Sequence, residues 1–178
     1  MPNWCQNEVT FSCDNPEVFK KFIEVSGIEA EDFKFNNLLP IPTALTLTHS
    51  GGITINGVVY TEWYENADGT QTGIGDDQIT ALYEEYGAAN WYDWCLSRWG
   101  CKWDAHFVEY CGLSEEFGEA RLSFDTAWNP PEEIYAWIRR NFPEIHINWF
   151  YKEEGMQIAG WLNDDESCGS STIIVTPN

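Results

Sequence analysis

Four segments of this chain alternate apolar and polar side chains with a period of two, and residues that stop strands or start helices punctuate them. Successive side chains of a strand point to opposite faces, so this alternation marks strands with one face buried. In NEVTFSC (7–13), Val9, Phe11 and Cys13 share a face against Glu8, Thr10 and Ser12. KWDAHFVEY (102–110) divides into Trp103, Ala105 and Phe107 against Lys102, Asp104, His106, Val108 and Tyr110. ARLSFDTAW (120–128) sets Leu122, Phe124, Thr126 and Trp128 against Arg121, Ser123 and Asp125. The segment 145–151 sets Ile145, Ile147, Trp149 and Tyr151 against His146, Asn148 and Phe150.

Two helices fall between these strands. The first has Asp14 or Asn15 to cap it, Pro16 in its first turn, an apolar stripe of Val18, Phe19, Phe22 and Ile23, and Gly27 as its stop. The second opens on Asn129-Pro130-Pro131-Glu132-Glu133, buries Ile134, Trp137, Ile138 and Phe142, and closes at Pro143. Residues 144–162 read as two strands joined near Glu154-Gly155. The section from 31 to 100 follows other rules. A proline-marked connection leads to an Asn56-Gly57 hairpin, then to a glycine-rich loop without the lysine of a phosphate loop. Helices follow over 76–86, stopped by Gly87, and over NWYDWCLSRWG, capped by Asn90 and stopped by Gly100. The expected architecture is α+β. A ferredoxin-like β-α-β-β-α-β core carries an added C-terminal strand and a large α/β insertion after the first helix, so that 1–178 is a single domain with 31–100 inserted in it.

Charge narrows the function classes. Nine Lys and Arg face 29 Asp and Glu, a formal net charge of -20. Nucleic-acid affinity comes largely from basic side chains displacing counterions, so direct DNA or RNA binding is disfavoured. The acids come in runs: Glu31-Asp32, Asp76-Asp77, Glu84-Glu85, Glu115-Glu116, Glu132-Glu133 and Asp164-Asp165-Glu166. Such a surface serves solubility, or it imitates nucleic acid and steers the protein onto a basic partner. Asp76, Asp77, Glu84, Glu85, Glu115 and Glu116 are the residues assigned to that acidic surface. The opening lacks the basic and apolar regions of an export signal, and no apolar run is long enough to span a bilayer, so a cytoplasmic location is expected.

The six cysteines (Cys5, Cys13, Cys95, Cys101, Cys111 and Cys168) include no C-x-x-C and read as reduced thiols. Cys95, Cys101, His106 and Cys111 lack the paired short spacings of a zinc site, with His106 and Trp103 on opposite strand faces and Cys111 beyond the strand end. No metal or cofactor is expected. No cysteine-enzyme signature surrounds His49, His106 or His146.

The strings MPNWCQNEV, WGCKWDA (99–105) and FDTAWNPP (124–131) resemble the YubB-type ferredoxin-like proteins of phages and conjugative plasmids. The resemblance implies a mobile-element origin, in the cytoplasm of a bacterial host, and the same core fold; it carries no activity. The family's central motif has Thr where this chain has Cys101.

Three function classes follow. The leading expectation is a non-enzymatic accessory protein that binds a host or competing-element protein through its acidic surface, as a nucleic-acid mimic or anti-defence factor. The second is a ligand-binding module for a nucleotide or another anionic molecule, with Trp99, Trp103 and Trp128 lining a pocket beside Lys102, and with His106, Arg121 and Asp125 on the open sheet face. The third is an enzyme using His106 or His146 with carboxylates. Tryptophans at element ends also commonly seal a core edge through a bonded indole N–H. Lys102, among nine basic residues, either pairs with Asp104 or Asp125 or meets an anion from outside.

Overall fold

A computed structural model of the chain describes residues 3–163 together with 173 and 174. Cys168, the acid run at 164–166 and the first two residues of the opening motif lie outside the described residues. The elements are β1 (Trp4–Ser12), α1 (Pro16–Ser26), α2 (Phe35–Leu38), β2 (Thr48–Ile55), β3 (Val58–Glu65), β4 (Gln71–Gly73), α3 (Asp76–Tyr86), α4 (Trp91–Arg98), β5 (His106–Ser114), β6 (Glu119–Ala127), α5 (Glu132–Asn141), β7 (His146–Glu153), β8 (Ile158–Leu162) and β9 (Ile173–Ile174). They fall into two compact units, one of Met1–Leu39 with Trp99–Asn178 and one of Pro40–Arg98. Among the described residues no helix is long and apolar enough to cross a membrane.

The first unit is built on an antiparallel sheet ordered β5-β6-β1-β7-β8-β9. Its core face carries Val9, Phe11, Leu122, Phe124, Trp149 and Tyr151, all buried, along with Phe19, Phe22 and Ile23 of α1 and Ile134 and Ile138 of α5. Burying each such side chain contributes about 1.5–3 kcal/mol. The rings interlock edge to face: Phe11 lies 4.8 Å from Phe22 and 6.2 Å from Trp149. Phe33 and Phe35 belong to this core, Phe33 lying 5.4 Å from Phe124. They fall within the 31–100 section, yet the second unit begins only at Pro40.

Local signals explain the ends of α1. The Asn15 side chain accepts from the Glu17 and Val18 N–H groups, and Gly27 adopts the left-handed conformation at φ 82°. A Cβ at Gly27 would lie 2.3 Å from the Asp32 carbonyl oxygen. Gly27→Ala is therefore expected to destabilise the protein by about 2 kcal/mol, read as a lower urea midpoint at constant slope.

The second unit holds the sheet β2-β3-β4 with α3 and α4. Asn56 (φ 51°) and Gly57 (φ 82°) make the tight turn between β2 and β3. Asn90 caps α4 by accepting the Asp93 N–H at 2.8 Å, and its amide donates to Glu62 at 3.2 Å. Trp94 and Cys95 are the buried residues of α4, while α3 buries none.

Candidate functional site: an aromatic cluster beside an open sheet face

The strand expected at 102–110 is displaced. Residues 101–105 are irregular and β5 begins at His106. Phe107 adopts φ 51°, and the β5–β6 register shifts between His106 and Glu109 and again between Tyr110 and Gly112. Because strand faces alternate, one irregular residue exchanges them. Phe107, expected in the core, is 70% exposed. Val108 and Tyr110, expected on the open face, are half-buried, and the Tyr110 hydroxyl accepts the Phe33 N–H at 2.7 Å. Cys111 lies within β5 and is exposed.

The same irregularity assembles a surface cluster of rings. Trp4, at the start of β1, lies 6.2 Å from Trp103, 5.2 Å from His106 and 5.6 Å from Phe107. His106 and Trp103, expected on opposite faces, are 6.0 Å apart. Trp103 stacks on Trp128 at 6.5 Å and 22°. The Lys102 ammonium lies over both rings, 4.5 Å from the centre of Trp103 and 5.5 Å from that of Trp128. The ring faces themselves thus form part of the environment of the Lys102 charge.

Two supports hold this cluster. The first comes from the core. Trp149 Nε1 donates to Asn7 Oδ1 (3.1 Å), Asn7 Nδ2 donates to Thr126 Oγ1 (3.0 Å), and Thr126 Oγ1 donates to the Asn129 carbonyl (2.7 Å). Asn129 N–H donates to the Ala127 carbonyl and Trp128 N–H to the Asn3 carbonyl, each at 2.9 Å. These bonds hold Trp128 at φ 66°, with 37% of its surface exposed. The second support is Asp104. Its carboxylate accepts the Phe35 N–H (2.6 Å), the Asn36 N–H (3.2 Å) and its neighbour Ala105's N–H (2.8 Å). It caps α2 from 69 residues away. Burial raises the Asp104 carboxyl above the ordinary carboxylate range against the opposing effect of these bonds.

The remaining expected site residues divide. Trp99 is not in the cluster: it is 2% exposed, meets Phe35 edge-on at 6.0 Å and donates its indole N–H to the Leu39 carbonyl at 2.9 Å. A tryptophan three residues before Lys102 is therefore a core residue, and Trp4 joins the cluster instead. Asp125 sits opposite His106 in the sheet. Its carboxyl is raised by burial and by the charge of Glu109, with His106 opposing. Arg121 lies four residues further back along β6, paired with Glu119 at 3.3 Å. Of the acidic residues, Asp76, Asp77, Glu84 and Glu85 all lie exposed on α3, and Glu115 and Glu116 are exposed in the β5–β6 turn. Sequence alone does not mark Trp4 and Phe107 as rings of a surface cluster: Trp4 precedes the alternating run 7–13 and reads as an element-end tryptophan that seals a core edge, and nothing in WDAHF announces a left-handed residue.

Among the described residues no group of three or more His, Cys, Asp or Glu side chains is placed to hold a metal ion. Cys101 is buried and its thiol donates to the Trp103 carbonyl. Burial pushes the Cys5 thiol up to about 12, too high for a thiolate at neutral pH. His49 stacks on Trp63 at 4.3 Å, and His146 lines a shallow hollow with Cys13, Asp14, Asn15, Pro16 and Glu144.

Curated proteins give no match to this chain. A crystal structure of the protein api92 from Yersinia pseudotuberculosis aligns over 100% of both chains at 12% identity, with a TM-score of 0.44. Over residues 98–172, less than half of its length, the chain matches the family model described as the ferredoxin-like domain in Api92-like protein, a stretch that carries β5, β6, α5, β7 and β8.

Proposed function

We propose that the chain is a non-catalytic binding module that docks a basic protein through the aromatic cluster of Trp4, Trp103, His106, Phe107 and Trp128. The observation carrying this reading is the cost of the display. Bulky residues adopt positive φ rarely, at about 1–3 kcal/mol each, and such strain concentrates where it serves function. Five non-glycine residues have positive φ among those described, and Phe107 and Trp128 are the two aromatic ones. Both expose their rings in one cluster. Binding hot spots are rich in such rings. Asp125 and Glu109 beside the cluster, and a net charge of -20, favour a partner carrying Lys and Arg. With the mobile-element origin implied by the motifs, the partner class is a nucleic-acid-handling protein of the host or of a competing element. The acidic surface then occupies a site that nucleic acid would take.

Phe107→Gly separates this reading from a purely structural one. Glycine takes φ 51° without strain, so the variant is expected to be as stable as the parent or about 1 kcal/mol more stable. Immobilised parent protein is expected to retain a basic partner from bacterial lysate at low salt and release it as salt rises. Phe107→Gly is expected to retain at least about tenfold less. Equal retention by both proteins, or binding indifferent to salt, sinks the proposal.

A further inference from the structure

A second feature lies on the open face of the sheet, apart from the aromatic cluster. A hollow of about 650 Å³ is lined by Glu8, Thr10, Arg121, Ser123, Phe150 and Trp161 among others. The strand registers order these groups in two rows. One row runs Ser123, Glu8, Phe150, Trp161 across β6, β1, β7 and β8; the next runs Arg121, Thr10, Asn148 across β6, β1 and β7. The chemistry therefore changes strand by strand. Rings stand over β7 and β8, where Phe150 and Trp161 lie 5.0 Å apart and Trp161 is 44% exposed. A carboxylate and a hydroxyl stand over β1, and a guanidinium and a hydroxyl over β6.

We infer that this hollow binds a nucleoside monophosphate, with the base on Trp161 and Phe150, the ribose hydroxyls on Glu8 and Thr10, and the phosphate on Arg121 and Ser123. Strands lie about 4.8 Å apart, so Phe150 and Ser123 stand roughly 10 Å apart across the sheet, a span comparable to that from base to phosphate. Each group meets its complement. An aromatic face stacks any base, a carboxylate accepts hydroxyl protons from ribose, and a guanidinium binds phosphate oxygens in a fork. Arg121 is available for exchange. Its pair with Glu119 joins side chains that are 60% and 44% exposed, and such exposed pairs hold weakly. Gly112 stands opposite Arg121 in β5 and puts no side chain beside its guanidinium. A polymer fits less well, because each added phosphate meets the field of a chain with net charge -20 and no second basic residue among those lining the hollow.

The test is isothermal titration of the full chain with AMP, GMP, adenosine and ribose 5-phosphate at low salt. The parent protein is expected to bind AMP or GMP more tightly than either fragment. Trp161→Ala is expected to weaken nucleotide binding at least about tenfold. Arg121→Ala is expected to bring AMP down to the affinity of adenosine while leaving adenosine itself unchanged. Both side chains are exposed, so circular dichroism and an unchanged urea midpoint verify that the variants fold. No binding of either nucleotide at millimolar concentration overturns the assignment. So does nucleotide binding that both variants leave intact. Phe107→Gly is expected to bind nucleotide like the parent, which keeps this result separate from the fate of the protein-docking site.

Discussion

Asn7→Ala is expected to lower the free energy of unfolding by about 3–4 kcal/mol, measured as a shift of the urea midpoint at constant slope. Asn7 is 1% exposed and uses both ends of its amide. Its nitrogen serves the Cys5 and Phe124 carbonyls and the Thr126 hydroxyl, and its oxygen accepts the indole N–H of Trp149, which is fully buried. Truncation leaves that N–H without an acceptor at the centre of the core, and the penalty for such an orphan exceeds the net value of an ordinary hydrogen bond. Asn7→Asp keeps an acceptor for Trp149 but loses the amide donor and buries a charge, so it is expected to be no less harmful. The effect reaches the surface through Thr126. With its hydroxyl released, the turn over 127–129 loses part of what keeps Trp128 at φ 66°. Trp128 fluorescence is not separable among ten tryptophans, so hydrogen exchange at the 127–129 amides is the local readout. A midpoint shift worth less than about 1 kcal/mol contradicts the role given to this network.

Where periodicity and caps decide structure, the chain is legible. The face of β1 follows from Val9, Phe11 and Cys13, and the ends of α1 follow from Asn15 and Gly27. The Asn56-Gly57 turn follows from two residues that tolerate positive φ. The same alternation places Asn7 on the core face, although nothing local says that Trp149, 142 residues away, is its partner. The start of β5 is where legibility ends. A period-two pattern assumes that every residue advances the strand equally, and Phe107 does not, so the faces beyond it exchange. The candidate site sits on that irregularity. Lys102, Trp103, His106 and Trp128 are named by their composition and motif, but their convergence with Trp4 and the departure of Trp99 into the core are set by contacts distant in sequence. The Leu39 carbonyl that takes the Trp99 indole proton and the Phe35 amide that finds Asp104 are 60 and 69 residues from their partners.

Asp104→Ala is the other substitution with a large expected effect, about 3 kcal/mol at neutral pH. It removes the acceptor of three backbone N–H groups, two of them in the first turn of α2. Those donors have no intrahelical partner to fall back on. The pH dependence has a definite sign. Because burial raises the Asp104 carboxyl in the folded state, the folded protein binds this proton more tightly than the unfolded chain. The stability gained from that protonation is fully present below the unfolded value and is lost as pH rises through the folded one. The difference between parent and Asp104→Ala is thus expected to widen as pH falls from neutral toward about 4, whereas a stabilising charge pair at this position would make it shrink. Asp104 also follows Lys102 and Trp103 directly, so freeing it loosens the chain that sets both against Trp128. Stability and partner capture should therefore fall together in Asp104→Ala, while Phe107→Gly loses capture alone. If Asp104→Ala kept full capture at a temperature where it remains folded, Trp103 and Lys102 would not be held by this carboxylate, and the cluster would rest on Trp4 and the 127–129 turn.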